Sequence, residues 1–308
     1  MIKLRLSYTV SIEDHLKTVK FILKNKLGLS ENLVKRLKYA GQILCNSLPV
    51  HVNAPVECDD IVEAVVEFDE INEDIIPEDI QIDIIYEDEY LIVVNKQPGI
   101  VVHPTFNHPF GTVANAVMFH MLNKGIRSRI RPVSRLDRDT SGIIVFAGNQ
   151  YVQDRLIKQM SKNIFLKEYV GIVHGIVKDN KGTIDLPIER KPESIMLRHI
   201  SSYGAPSVTH YELIRHLNNS SFLKFTLETG RTHQIRVHCQ AIGHPLIGDT
   251  LYPFLHPQEG QAVEPHPINR QALHSYKTFF VHPVFGNTLE LTAPIPHDFN
   301  NALEILNK

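Results

Sequence analysis

A chain of 308 residues with 43% apolar and 21% charged side chains has material for more than one core and the composition of an ordinary globular protein, which excludes a disordered tail, a fibre and a membrane bundle. No apolar run reaches membrane-span length, and the opening Met1-Ile-Lys-Leu-Arg-Leu6 lacks a signal-peptide core. Three cysteines, Cys45, Cys58 and Cys239, without Cys-x-x-Cys spacing fit a reduced, cytoplasmic compartment.

The net charge of −2 hides a strong segregation. Residues 1–50 carry nine lysines and arginines against three acids, whereas residues 51–90 carry fifteen acids and no lysine or arginine. The rest of the chain is basic again. Local patches, not the sum over the chain, decide whether phosphate is bound.

In chain order, residues 13–27 place Leu16, Val19, Leu23 and Leu27 at helical spacing. Ser30 is an N-cap for a second helix over 31–39, with Leu33, Val34 and Leu37 on one face and Lys35, Arg36 and Lys38 on the other. Gly41 ends it. Residues 42–45 and 48–52 read as short strands around an Asn46-Ser47 turn, and 61–68 as another strand. The acidic stretch before Pro77 has the composition of a linker. This gives an N-terminal unit over 1–68, a linker over 69–80 and a larger unit over 81–308.

The larger unit opens with a hairpin over 82–86 and 90–95. A helix starts at Thr112, a second covers 149–161 and a third 232–242, closed by Gly243. Strands are expected at 166–177, 207–215, 222–228, 272–281 and 288–292. Many strands with few helices between them imply an α+β fold, a largely antiparallel mixed sheet with peripheral helices. No dinucleotide fingerprint or P-loop is present.

The chemistry concentrates in Arg131-Pro-Val-Ser-Arg-Leu-Asp-Arg-Asp-Thr-Ser-Gly142, followed by the apolar run from Ile143 to Ala147. A short apolar run between glycines reads as a buried strand. Asp137 then lies in a loop at the rim of a sheet with arginines on both sides, which favour its ionised form. A held, ionised carboxylate suits a nucleophile or a general base. A plain salt-bridged turn explains the same residues. The Asp-x-Asp-x-Thr of aspartyl-phosphate phosphatases matches Asp137, Asp139 and Thr140 by spelling, but that chemistry needs its apolar strand before the first aspartate, not after it.

Three blocks together resemble the RluA-type pseudouridine synthases: Arg135-Leu-Asp-Arg-Asp-Thr-Ser-Gly142, Lys167-Glu-Tyr169 and Thr229-Gly-Arg-Thr-His-Gln-Ile-Arg-Val-His238. Asn95-Lys-Gln-Pro-Gly99 and Gly248-Asp249 extend the likeness, while Ser134 stands where that family usually has histidine. The basic helix and small hairpin at the N-terminus resemble the alpha-L RNA-binding motif of ribosomal proteins. The resemblance implies isomerisation of uridine to pseudouridine in RNA, in large-subunit ribosomal RNA first and transfer RNA second, without cofactor or metal. A catalytically inert RNA-binding or ribosome-assembly factor of the same fold is the alternative, and a monomer is expected.

The resemblance also assigns roles. Asp137 is the essential carboxylate, with three routes open: attack on C1′, addition to C6, or removal of a sugar proton. Arg231 is its ion partner, its planar guanidinium matching a carboxylate. Tyr169 stacks on the extruded uracil and helps remove the C5 proton. Arg135 holds the RNA backbone or fills the gap left by the flipped base, Thr140 shapes the loop and Ile235 lines the uracil pocket. Lys35, Arg36 and Lys38 track phosphates. A zinc site from His233, His238 and Cys239 is disfavoured, because offsets of five and six residues do not share a helix face.

Overall fold

A computed structural model describes residues 3–67, 75–254 and 267–308. The N-terminal part holds β1 (Leu4–Thr9), α1 (Val19–Asn25), α2 (Glu31–Tyr39), β2 (Ile43–Cys45), β3 (Leu48–Pro49) and β4 (Ile61–Val66). These strands form a four-stranded antiparallel sheet, β1-β4-β2-β3. Asn46 and Ser47 both have positive φ, +51° and +67°, the geometry of the tight hairpin turn that suits strand twist. The helix expected over 13–27 is shorter. Leu16 takes a left-handed φ of +62°, and its N–H bonds Val56 O at 2.8 Å, which pulls the backbone out of helical register until Thr18 caps α1. The second helix matches its expectation, with Ser30 Oγ accepting the Leu33 N–H at 3.2 Å.

The larger part runs through β5 (Asp83–Glu87), β6 (Leu91–Lys96), α3 (Val113–Asn123), β7 (Arg131–Pro132), β8 (Ser141–Ala147) and α4 (Gln150–Met160). It continues with β9 (Leu166–His174), β10 (Lys181–Asp185), β11 (Ile188–Arg190), β12 (Arg198–Ile200), β13 (Val208–Leu217) and β14 (Ser220–Leu227). It ends with α5 (Gln234–Ala241), β15 (Leu273–Val281), β16 (Thr288–Thr292) and α6 (His297–Leu306). The main sheet has the order β10-β13-β14-β9-β15-β8-β6-β5, with β7 on β8 and β16 on β15. Its pairs are antiparallel except β15 with β8, which run parallel through His274↔Ser141 and Ser275↔Gly142. The fold is α+β with a largely antiparallel sheet, as the sequence implies. The β11–β12 hairpin, β10 and α6 are additions to that reading.

The continuous apolar strands β6 and β8 are explained by burial on both faces. Leu91, Val93, Ile143 and Val145 face one way, into a core shared with α4 and with Leu23, Leu33 and Leu37 of the N-terminal part. Ile92, Val94, Ile144 and Phe146 face the other way, onto Val113, Val117 and Met121 of α3. The N-terminal part therefore serves as one layer of cover for the sheet. Ser30 Oγ donates to Asp154 of α4 at 2.6 Å and Arg36 Nη1 to Gln150 Oε1 at 2.6 Å, fixing the contact.

Of the expected linker, residues 69–74 lie outside the described residues. Ile75 is buried against α3, Asn115 Nδ2 donates to Ile76 O at 2.7 Å, and the Glu78 N–H donates to Asn115 O at 3.2 Å. In the other half of the sheet, Val170, Ile172 and Ala272 pack on α6, and Tyr169, Val173 and Leu273 pack on Ile235 and Cys239 of α5. No helix among the described residues is long and apolar enough to cross a membrane.

Candidate active site

The site lies at the seam between these halves, where Leu136 touches both cores. The loop bearing Asp137 leads directly into β8, and its exit is fixed by Gly142. Gly142 has φ +107°, and a Cβ there would lie 2.1 Å from Ser275 O, so only glycine permits the close parallel approach of β8 to β15. Across the sheet, Ser275 is in register with Gly142 on one side and Tyr169 on the other. One row of residues thus carries Tyr169 toward the Asp137 loop.

Buried cations hold the backbone of this loop. Lys96, 1% exposed, gives its ammonium hydrogens to the carbonyls of Gln97, Ile100 and Arg138 at 2.9, 2.9 and 2.7 Å. Burial lowers its pKa to about 7, against the pull of Asp139 and Asp137. Arg270 donates Nη1 to Asp139 O at 3.1 Å and grips the Asp298 carboxylate of α6 with Nε and Nη2 at 2.7 and 3.0 Å. Thr140, expected to shape the loop, is buried, and its Oγ1 accepts from Gln271 Nε2 at 3.1 Å.

Asp137 is partly exposed, and its ion partner is Arg236, not Arg231. Arg236 Nη1 donates to Asp137 Oδ2 at 3.0 Å. Its Nε and Nη2 grip both oxygens of fully buried Asp249 at 2.7 Å each. Arg231 is exposed, and its Nε donates to the carbonyl of Pro206 at 3.3 Å. The reason is where α5 begins. Gln234 starts the helix, leaving Arg231 in the preceding loop and turning Arg236 inward between Ile235 and Val237. Burial works against the charge on Arg236, but Asp249 and Asp137 outweigh it and raise its pKa above the ordinary arginine value. Tyr252 lies under the guanidinium, 5.0 Å from ring centroid to carbon.

Asp249 itself is held by the N–H groups of Leu251 and Tyr252 at 3.0 and 3.2 Å. The result is a chain of alternating charge, Asp137–Arg236–Asp249, dry at one end and open to solvent at the other. A buried charge in such a chain is satisfied only as part of the set.

Tyr169 is 5% exposed. Burial pushes its pKa up to about 12, with Ser275 pulling it down and Asp137 pushing it further up. Its hydroxyl is therefore protonated at neutral pH. Ile235 shares its cluster. Arg135 is exposed, as are Lys35 and Lys38 on α2, while Arg36 is half-buried and turned to α4. The three zinc candidates do not converge. His238 bonds Thr209 Oγ1 and Leu186 O, both at 2.9 Å, Cys239 lies in the core, and His233 Nδ1 bonds the Tyr252 hydroxyl at 2.7 Å.

Arg236, Asp249, Arg270 and Tyr252 carry roles that the sequence alone did not assign. For Arg236 a signal existed, a charged residue inside the apolar run of Ile235 and Val237. Arg270 offered none, because the Asp139 carbonyl and the Asp298 carboxylate that it joins lie far from it in the chain.

The family model of the RNA pseudouridylate synthases matches residues 90–241. The chain belongs to the RNA pseudouridine synthase family and is an enzyme of that class. It is 35% identical over 280 residues to an uncharacterized RNA pseudouridine synthase, YjbO of Bacillus subtilis, covering 91% of this chain and 96% of that one. It is 38% identical over 235 residues to the ribosomal large subunit pseudouridine synthase D of Escherichia coli, covering 75% and 72%. Among solved structures it resembles human RNA pseudouridylate synthase domain containing 4, with a TM-score of 0.59 and 21% identity over 73% of this chain and 92% of that one, a likeness of fold.

Proposed function

We propose that this enzyme isomerises specific uridines of large-subunit ribosomal RNA to pseudouridine, with Asp137 as the essential carboxylate. The observation that supports this most is the charge chain Asp137–Arg236–Asp249 at the seam of the sheet. Arg236 takes Oδ2, which leaves Oδ1 as the oxygen free to react. Attack on C1′, addition to C6 and removal of a sugar proton all use that free oxygen, and the charge chain serves each equally. Large-subunit RNA is favoured by the activity named for the Escherichia coli and Xylella fastidiosa relatives.

Tyr169, carrying its proton at neutral pH, serves as an apolar wall and stacking partner for the uracil. It acts on the C5 proton only if it gives up its own at the same time. Ile235 extends that wall. Arg135, exposed beside the loop, contacts backbone phosphate or fills the place of the flipped base. Unstacking costs a few kcal/mol, which such contacts offset.

The N-terminal unit, residues 1–68, presents Lys35 and Lys38 to RNA, while Arg36 fastens α2 to α4. The acidic stretch 69–80 joins it to the catalytic unit, 81–308. The enzyme works in the cytoplasm as a monomer, in keeping with its unpaired cysteines.

Tritium release from RNA labelled at C5 of uridine tests the reading. Unmodified ribosomal and transfer RNA are assayed separately, with EDTA present, for wild type beside Asp137→Asn. Release from ribosomal RNA by wild type alone is expected. Equal release by the variant would remove Asp137 from the mechanism, and release from transfer RNA only would move the substrate.

A further inference from the structure

His233 is held in a backbone conformation uncommon for residues other than glycine. It occupies the N-cap of α5 with φ +58° and ψ +19°, the left-handed region, yet its side chain caps nothing. Non-glycine residues held there carry strain, which the surroundings must impose. Its imidazole instead lies between two groups. Nδ1 is 2.7 Å from the Tyr252 hydroxyl, and Nε2 is 3.8 Å from Asp137 Oδ1, the oxygen that Arg236 leaves free. The Tyr252 ring meets the imidazole edge-on, with centroids 5.5 Å apart.

The hydrogen bonds around Tyr252 favour one tautomer. The Arg198 backbone N–H donates to the Tyr252 oxygen at 2.9 Å, and a backbone N–H can only donate. The phenol still has its own hydrogen to place, and His233 Nδ1 at 2.7 Å is the acceptor beside it. That nitrogen is then the acceptor, and the ring hydrogen sits on Nε2, facing Asp137 Oδ1. Burial lowers the pKa of His233, so the ring is neutral with one hydrogen to give.

A carboxylate gripped only at Oδ2 can still turn about its Cβ–Cγ bond. We propose that His233 is a positioning residue that fixes Asp137 through an Nε2–H hydrogen bond to Oδ1, in the tautomer that Tyr252 imposes. From 3.8 Å, a shift of about 1 Å reaches hydrogen-bond distance. Arg236 and His233 then define the carboxylate plane from two sides, and Oδ1 is presented to the nucleotide in one orientation. This rests on Asp137 being the reacting carboxylate.

The test uses the full-length enzyme with His233→Ala, His233→Gln, Tyr252→Phe and the Gln/Phe double variant. Single-turnover tritium release from transcribed large-subunit ribosomal RNA is measured beside RNA affinity. His233→Ala is expected to slow release about a hundredfold, the scale of a misplaced reacting group, with affinity unchanged. Glutamine, which carries an N–H at the place of Nε2 and has no tautomer to choose, restores most of the rate. Tyr252→Phe keeps the ring under Arg236 but removes the hydroxyl, so it slows the wild type and has no further effect beside His233→Gln. Equal effects of Tyr252→Phe in both backgrounds would overturn the proposal, as would a glutamine variant as slow as alanine.

The glutamine pair decides the matter if the alanine variant does not fold. Nitrogen-15 spectra of the imidazoles add a readout that needs no RNA. His233 in the Nε2–H form, shifting to a mixture in Tyr252→Phe, supports the proposal, and an Nδ1–H form in wild type sinks it. A wild type inert on this RNA would refute the ribosomal substrate instead, and the imidazole spectra alone would then judge the role of His233.

Discussion

Arg236 gives Asp137 one hydrogen bond, Nη1 to Oδ2 at 3.0 Å, and keeps its two-pronged edge for Asp249. The anchor of the Asp137 carboxylate is thus itself anchored, in a place water does not reach. Replacing Arg236 by lysine keeps the charge but cannot reach both carboxylates at once. Arg236→Lys is expected to lose pseudouridine formation by orders of magnitude, whereas Arg231→Ala keeps its single-turnover rate within a few-fold. Rates measured at saturating RNA separate the two, and the reverse ranking would restore Arg231 as the ion partner.

Asp249→Asn leaves the Arg236 charge buried with half its compensation. Breaking a buried pair in this way costs about 3–5 kcal/mol. Urea unfolding is expected to show a loss of that size, together with loss of activity. A loss below about 1 kcal/mol, the usual value for an exposed pair, would mean that solvent reaches this end of the chain after all.

Lys96 yields a pH signature. Burial lowers its pKa from 10.5 to about 7. Between those values the unfolded chain holds a proton that the folded chain has released, so this residue's contribution to stability rises with pH across that window. The stability gap between wild type and Lys96→Met should therefore widen in favour of wild type from about pH 7 toward pH 10. A gap that is flat or narrows would show that the three carbonyls keep the ammonium charged.

The basic face of α2 is tested by salt. Removing one lysine–phosphate interaction lowers the slope of log affinity against log salt by about one. Lys35→Glu and Lys38→Glu are each expected to weaken RNA binding with this change in slope, leaving the rate at saturation unaltered. Arg36→Ala should instead loosen α2 from α4, seen as faster amide exchange in both helices with a smaller change in slope.

Local patterns carried much of this molecule. The α2 cap at Ser30, the start of α4 at Asn149 and the Asn46-Ser47 turn stand where the sequence places them. The apolar run after Asp137 is β8, and its unbroken apolarity is accounted for by cores on both faces. The resemblance puts the ion pair with Asp137 on Arg231, whereas the structure forms it with Arg236. They are five residues apart in one motif, and only the first turn of α5 and its packing decide which faces Asp137. Arg270 was illegible for a different reason, since its three kinds of partner come from residues 139, 271–273 and 298. The helix expected from Glu13 was cut short by backbone bonds to residues 52–56, which helical periodicity does not register.

The parallel pairing of β8 with β15, and the grip of Arg270 on the loop, have a consequence for biosynthesis. Asp137, its strand and Tyr169 are all made well before Ser275 and Asp298 exist to hold them. A nascent chain can fold the N-terminal layer and the α3 side of the sheet early, and Arg236 can reach Asp137 before β15 is made, but the loop lacks its Ser275 and Arg270–Asp298 contacts until the chain has been made through α6. The Asp137 loop is therefore expected to reach its final geometry only when synthesis of the chain is nearly complete.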